Sequence, residues 1–121
     1  MLAKNDLVID GALKSLEICK RHGVPVAYGT DLLGQLQVAQ SNEFTLRAEV
    51  LSPAEIIRSA TKIGAEIVRM EGKLGCLNAG AFADLLIVDG NPLKDLKLLQ
   101  DEGLHLSVIM KAGRFHKNRL H

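Results

Sequence analysis

The sequence predicts an α/β chain in two parts, an α/β segment over residues 1–71 and a β-rich segment over residues 72–121. Three observations carry this. Ile9, Ala12, Leu13, Leu16 and Cys19 recur at helical spacing and lead straight into the apolar run Val24-Pro25-Val26-Ala27-Tyr28. Ser52-Pro53-Ala54-Glu55 is a helix-start signature. From Gly72 the helical period is lost, glycines punctuate the chain, and Ala83-Asp84-Leu85-Leu86-Ile87-Val88 reads as a buried strand.

The first helix is expected over residues 6 to 21, closed by Arg21-His22-Gly23, where cations favour the C-terminal dipole and glycine stops the helix. Val24 to Tyr28 follow as a short strand, and helix, tight turn and buried strand make the αβ half of a parallel βαβ unit. A polar, Gln-rich loop runs from Gln35 to Asn42. Ser41 is placed to cap a helix over residues 42 to 50. Ser52 caps the next helix, with Pro53 at its first position and Glu55 completing the capping box. Ile56, Ile57 and Ala60 form its apolar face. Gly64 is expected to break or bend it, with a further short helix over Ala65 to Met70. After the strand at 83–88, Asp89-Gly90-Asn91-Pro92 reads as a turn. Leu93 to Gln100 read as a short helix, Leu106 to Met110 as a strand, and Lys111-Ala112-Gly113-Arg114 as a turn into a last strand through Phe115.

At 121 residues the chain is long enough for one domain with a core, yet short of the about 250 residues of a complete (β/α)8 barrel. It is 47% hydrophobic and 24% charged, with 15 basic and 14 acidic residues spread along it and a net charge of +1. That balance leaves no nucleic-acid or membrane-surface footprint, and 3% aromatic content disfavours base stacking. Cys19 and Cys76 form no CxxC or Cys/His ligand pattern and fit a reducing compartment. No apolar run approaches the roughly 20 residues of a membrane span, and the first residues carry no signal-peptide core. The expected location is therefore cytoplasmic.

Chemistry concentrates at Gly29-Thr30-Asp31, where a strand ends on a carboxylate, the position at which α/β enzymes place catalytic or metal-binding groups. The alternative for Asp31 is a turn or helix N-cap residue. Gly29 and Thr30 read as backbone geometry and local hydrogen bonding. His22, His105, His116 and His121 are scattered, with no second ligand at metal-site spacing. Asp84 reads as a structural carboxylate at a strand start. Glu43, Arg47 and Glu49 read either as a substrate entrance or, more simply, as a solvated helix face.

Four motifs, in order, carry a family resemblance. They are His22-Gly23-Val24-Pro25-Val26-Ala27-Tyr28-Gly29-Thr30-Asp31; Leu51-Ser52-Pro53-Ala54-Glu55-Ile56-Ile57-Arg58-Ser59-Ala60-Thr61; the long run from Gly72-Lys73-Leu74-Gly75 through Ala83-Asp84-Leu85-Leu86-Ile87-Val88-Asp89-Gly90-Asn91-Pro92; and Val108-Ile109-Met110-Lys111-Ala112-Gly113-Arg114. Together they resemble the C-terminal part of the amidohydrolase superfamily, in its imidazolonepropionase/prolidase-like branch.

The resemblance implies that residues 1–71 derive from the end of a TIM-type (β/α)8 barrel, its last strand plus flanking helices. It implies that residues 72–121 derive from a small β-sandwich beside the barrel. It also implies hydrolysis of C–N bonds in small amides or dipeptides by a water activated on a divalent metal, zinc being the expected ion. Asp31 matches the family aspartate that binds the metal and takes the proton from the attacking water. The other family ligands are absent from this sequence: the His-x-His pair, the bridging Lys or Glu, and the later histidines. The chain alone is therefore expected to hold no metal and to be inactive without a missing N-terminal portion. The competing expectation is a non-catalytic domain that self-associates by strand or helix exchange, covering apolar faces and open strand edges.

Overall fold

The computed structural model describes the backbone of residues 2–120 and the side chains from Asp6 to Leu120; His121 lies outside the described residues. Helix α1 spans Leu2–Arg21 and so begins four residues before the expected start. Lys20 and Arg21 sit in its last turn. Gly23 takes a φ of 66°, which lets Val24 N–H turn back to the Cys19 carbonyl at 2.9 Å.

The expected strand at residues 24–28 does not form. The segment lies between α1 and the next helical turn but carries no strand pairing. A strand exists only where a second backbone supplies the ladder, and no described segment runs beside this one. The segment is held instead by one main-chain hydrogen bond, from Tyr28 N–H to the Ser59 carbonyl at 3.1 Å.

The Gln-rich stretch is not an open loop but a 3₁₀ helix, Gly34–Asn42. Helix α2 is only Glu43–Arg47, and its N-cap is Asn42 with no side-chain capping bond, so Ser41 does not cap it. The capping box at Ser52 forms as expected. The Ser52 hydroxyl accepts from Glu55 N–H at 3.3 Å, and the Glu55 carboxylate accepts from Ser52 N–H at 2.7 Å. Helix α3 spans Pro53–Arg58, widens into a π turn at Ser59–Ile63, and resumes as α4, Gly64–Ile67. Gly64 keeps helical angles (φ −57°, ψ −43°) and breaks nothing. The irregularity coincides with hydroxyls that bond back to the helix, Ser59 Oγ to the Ile56 carbonyl (2.6 Å) and Thr61 Oγ1 to the Ile57 carbonyl (2.8 Å). The helix ends before Met70, with Arg69 in the left-handed region (φ 56°).

Residues beyond Gly72 form a three-stranded antiparallel sheet in the order β1-β2-β3, with β1 Leu85–Val88, β2 Leu106–Lys111 and β3 Arg114–Asn118. Leu86 pairs with Ile109, and Ile109 with Lys117. The helix expected over 93–100 shortens to a 3₁₀ turn, Leu96–Leu99, capped by the Asp95 side chain on Lys97 N–H (3.0 Å). Asp84 has the structural role expected of it, accepting from Ala112 N–H at 2.7 Å across the β2–β3 hairpin.

The core is thin. Ile56, Ala65, Leu96, Leu106 and Val108 are the buried hydrophobics among the described residues. The two parts meet where Gln100 Nε2 donates to Thr45 Oγ1 (2.9 Å) and to the Ser41 carbonyl (3.3 Å). They meet again at Gly75, whose φ of 66° and close approach to Thr61 leave no room for a side chain: a Cβ there would stand 2.3 Å from the Thr61 carbonyl oxygen.

The capping box also ties α3 to α1, because Lys20 Nζ reaches Glu55 Oε2 at 3.1 Å. Main-chain and side-chain hydrogen bonds from Ser52, then Lys20, hold the Glu55 carboxyl below the usual range. A depressed carboxyl adds stability above its unfolded pKa and loses it as pH falls through the folded value. Ser52→Ala should therefore cost about 1 kcal/mol at neutral pH in urea denaturation. Its stability should also fall less steeply than the wild type's as pH drops through the acid range. An equally steep acid limb in the variant would show that Glu55 owes nothing to the Ser52 hydroxyl.

Candidate active site

The extended segment delivers Asp31 to the surface. Asp31 is exposed, stands in the left-handed region (φ 53°) that aspartate tolerates better than most residues, and its carboxylate makes no hydrogen bond among the described residues. Leu32 N–H reaches back to Thr30 Oγ1 at 3.5 Å, so the chain turns at Asp31 through a weak local bond.

Thr30 and Leu32, on either side of Asp31, line a cavity of about 650 Å3 together with Asn42, Glu43, Leu46 and Glu49. Asp31 is outside that lining. Glu43 and Glu49 thus share a cavity wall. Arg47 does not join them on a solvated face. It is buried, with 8% of its surface exposed, and pairs through Nε and Nη2 with the Glu43 carboxylate. The i,i+4 spacing of Glu43 and Arg47 is the sequence signal for this pair. Their burial is the part that spacing alone does not carry.

Arg47 lies over Tyr28, with Cζ 5.2 Å from the ring centroid, and Phe44 tilts against the same ring at 4.5 Å between centroids. The Tyr28 hydroxyl donates to the Gln40 carbonyl at 2.5 Å. Arg47 Nη1 is buried without a hydrogen-bond partner, and its place beside the electron-rich ring is the compensation the structure offers. Tyr28 therefore fixes the segment that ends at Asp31 from three sides: Ser59 through its N–H, Gln40 through its hydroxyl, and Phe44 with Arg47 through its ring.

Burial first, and then the Glu43 charge, push the Tyr28 hydroxyl up from 10.0 to about 12, against smaller opposing effects of Arg47 and the Phe44 main chain.

His22 and His116 are exposed, and His105 is partly buried with its carbonyl accepting from Asp89 N–H at 2.8 Å. Both cysteines are free thiols, partly buried. Among the described residues no group of three or more His, Cys, Asp or Glu side chains is placed to hold a metal ion. Catalytic zinc uses three protein ligands and structural zinc four. The donors among the described residues therefore do not make up a complete metal centre, and Asp31 makes no hydrogen bond among them.

The model of the amidohydrolase family matches residues 1–114, and the chain belongs to that family. Ochratoxinase of Aspergillus niger is 30% identical over 116 residues, a match that covers 95% of this chain and 24% of that protein. A solved amidohydrolase superposes with a TM-score of 0.87 at 53% identity, over 90% of this chain and 26% of its own. A prolidase solved with N-methylphosphonate-L-proline gives a TM-score of 0.83 at 47% identity, over 87% and 26%. The chain thus spans about a quarter of the length of these relatives. None of the helices among the described residues is long and apolar enough to cross a membrane.

Tyr28 is the one tyrosine of the chain, and there is no tryptophan. Its ultraviolet difference titration should show a single transition near pH 12, ending in alkaline unfolding. The raised value means the folded state holds this proton more tightly, so stability should decline as pH rises from 10.0 toward about 12. A transition near 10.0 in folded protein would contradict the burial of the ring. Replacing Arg47 by Met strands the Glu43 carboxylate and should cost about 3 kcal/mol or more in denaturant unfolding. The double change Arg47→Met/Glu43→Gln should cost less, and an equal or larger loss would show that the stranded Glu43 charge is not the source of the destabilisation.

Proposed function

We propose that this chain forms the C-terminal part of a metal-dependent hydrolase of small amides or dipeptides, with Asp31 as one metal ligand and as the base that takes a proton from the attacking water. In this reading residues 1–71 are the barrel-derived part and residues 72–121 the sandwich-derived part. The remaining ligands come from polypeptide outside the 121 residues, zinc is the ion, and the compartment is the cytoplasm. The observation that carries the reading is the state of Asp31. It is a solvent-facing carboxylate with no hydrogen-bond partner among the described residues, standing in an αL turn at the end of a segment held through Tyr28. An unpartnered carboxylate beside anchored backbone is available both to a cation and to a water proton. Family membership and likeness to a prolidase support the choice of amide bonds.

Co-expression with the N-terminal portion of that prolidase tests the reading. The complex should hydrolyse Xaa-Pro dipeptides, and Asp31→Asn should lower kcat by about 10²–10⁴-fold while the complex still assembles. An assembled, metal-loaded complex in which Asp31→Asn keeps full activity would remove Asp31 from the mechanism.

A second reading is favoured by one observation. Large apolar side chains stand far out of the body, Leu77 at 81% and Leu33 at 74% exposure. A non-catalytic, self-associating domain would cover such surface with a second copy.

A further inference from the structure

Asp31 stands in a loop with two feet, and one residue holds both. Upstream, Tyr28 N–H donates to the Ser59 carbonyl at 3.1 Å. Downstream, the Tyr28 hydroxyl donates to the Gln40 carbonyl at 2.5 Å, across 12 positions of sequence. Among the described residues, and outside the helix ladders, this second bond is the one hydrogen bond that joins residues 29–40 to the rest of the chain. Packing braces the loop little. Gly29 has open space around its Cβ position, and Leu33, Leu36 and Val38 are 74%, 63% and 66% exposed.

The Tyr28 ring does not depend on its hydroxyl, because Phe44 and the Arg47 guanidinium pack against it. Gln40 is exposed, so its carbonyl can turn to water when the hydroxyl is lost. The bond therefore contributes little to global stability and much to closing the loop around Asp31. With its proton held up to about 12, the hydroxyl remains a donor throughout the neutral range. Thr30 and Leu32, which flank Asp31, line the neighbouring cavity with Glu43. Glu43 in turn pairs with the Arg47 that lies over the Tyr28 ring. The loop and the cavity wall are thus registered on the same side chain.

We propose that Tyr28 is a positioning residue of the hydrolytic site: its hydroxyl closes the loop on Gln40 and so sets where the Asp31 carboxylate stands relative to the cavity beside it. This rests on the hydrolase reading above. Tyr28 is outside the cavity lining and acts only through Asp31. A reacting group misplaced by about 1 Å can cost about 10²-fold in rate. A loop that visits the right place part of the time loses less than that.

Tyr28→Phe tests it, since the ring stays and only the tie is lost. In the chain by itself, amide hydrogen exchange over residues 29–40 should quicken by about fivefold, with α3 and the sheet unchanged. In the complex with the N-terminal portion of the prolidase, kcat should fall by about tenfold and KM should hold. Unchanged exchange over residues 29–40, or faster exchange throughout the chain, would overturn the proposal. So would a raised KM at unchanged kcat, which marks a substrate contact. If Asp31→Asn cuts turnover while Tyr28→Phe keeps the wild-type kcat, the positioning role fails and the hydrolase reading stands. If Asp31→Asn keeps full activity, the hydrolase reading falls and the positioning role falls with it.

Discussion

One main-chain hydrogen bond decides where the candidate catalytic carboxylate stands. The segment from Val24 to Asp31 has no ladder to hold it, and Tyr28 N–H to the Ser59 carbonyl is the link between it and the long helix behind. Ser59 opens the π turn and is 2% exposed, so its carbonyl lies in a buried, packed stretch. A main-chain group at such a position either finds a partner or costs free energy comparable to a lost hydrogen bond. The irregular helix and the unpaired segment satisfy each other at this point. A regular helix would keep that carbonyl for its own ladder, and a strand would need a second backbone.

Around this bond the polar groups are arranged as a small closed system. The Glu43 and Arg47 charges neutralise one another under cover, the Tyr28 ring lies beneath the guanidinium, and the Tyr28 hydroxyl reaches the 3₁₀ helix through Gln40. The two sides of the segment differ in consequence. Toward α2 it is anchored, aromatic and partly buried. At Asp31 it is bare. That asymmetry is what a site completed from outside requires, because a carboxylate already engaged in structure would have to be released before it could bind anything.

Much of this was legible in the residues. The Ser52–Glu55 box, the β2–β3 hairpin and the role of Asp84 follow from local chemistry, and local chemistry is what a single sequence contains. The family match follows from motifs long enough to be specific. The misreadings share another cause. Val24 to Tyr28 has the composition of a buried strand, but a strand is a property of two backbones, and the second is not among the described residues. Gly64 looked like a breaker, yet one glycine is tolerated when hydroxyls of the preceding turn have already reshaped the helix. Arg47 looked solvated because charge predicts exposure, and only its position over the single tyrosine reveals the burial.

The junction at Gln100 carries a consequence for how the chain reaches this state. Its bond to the Ser41 carbonyl spans 59 positions, whereas the capping box, the hairpin and the i,i+4 pair join near neighbours. Closing so long a loop has an entropic cost that local elements do not meet, and only a thin core rewards it. The helical part and the sheet are therefore expected to form as separate cooperative units, docking last and parting first. The amides of the sheet and of α3 would resist solvent exchange longest. The stretch between Asp31 and Asn42, bounded by the carboxylate at one end and the docking contact at the other, would open most often. The stretch that carries the candidate carboxylate is then also the one with the shortest residence in any one conformation.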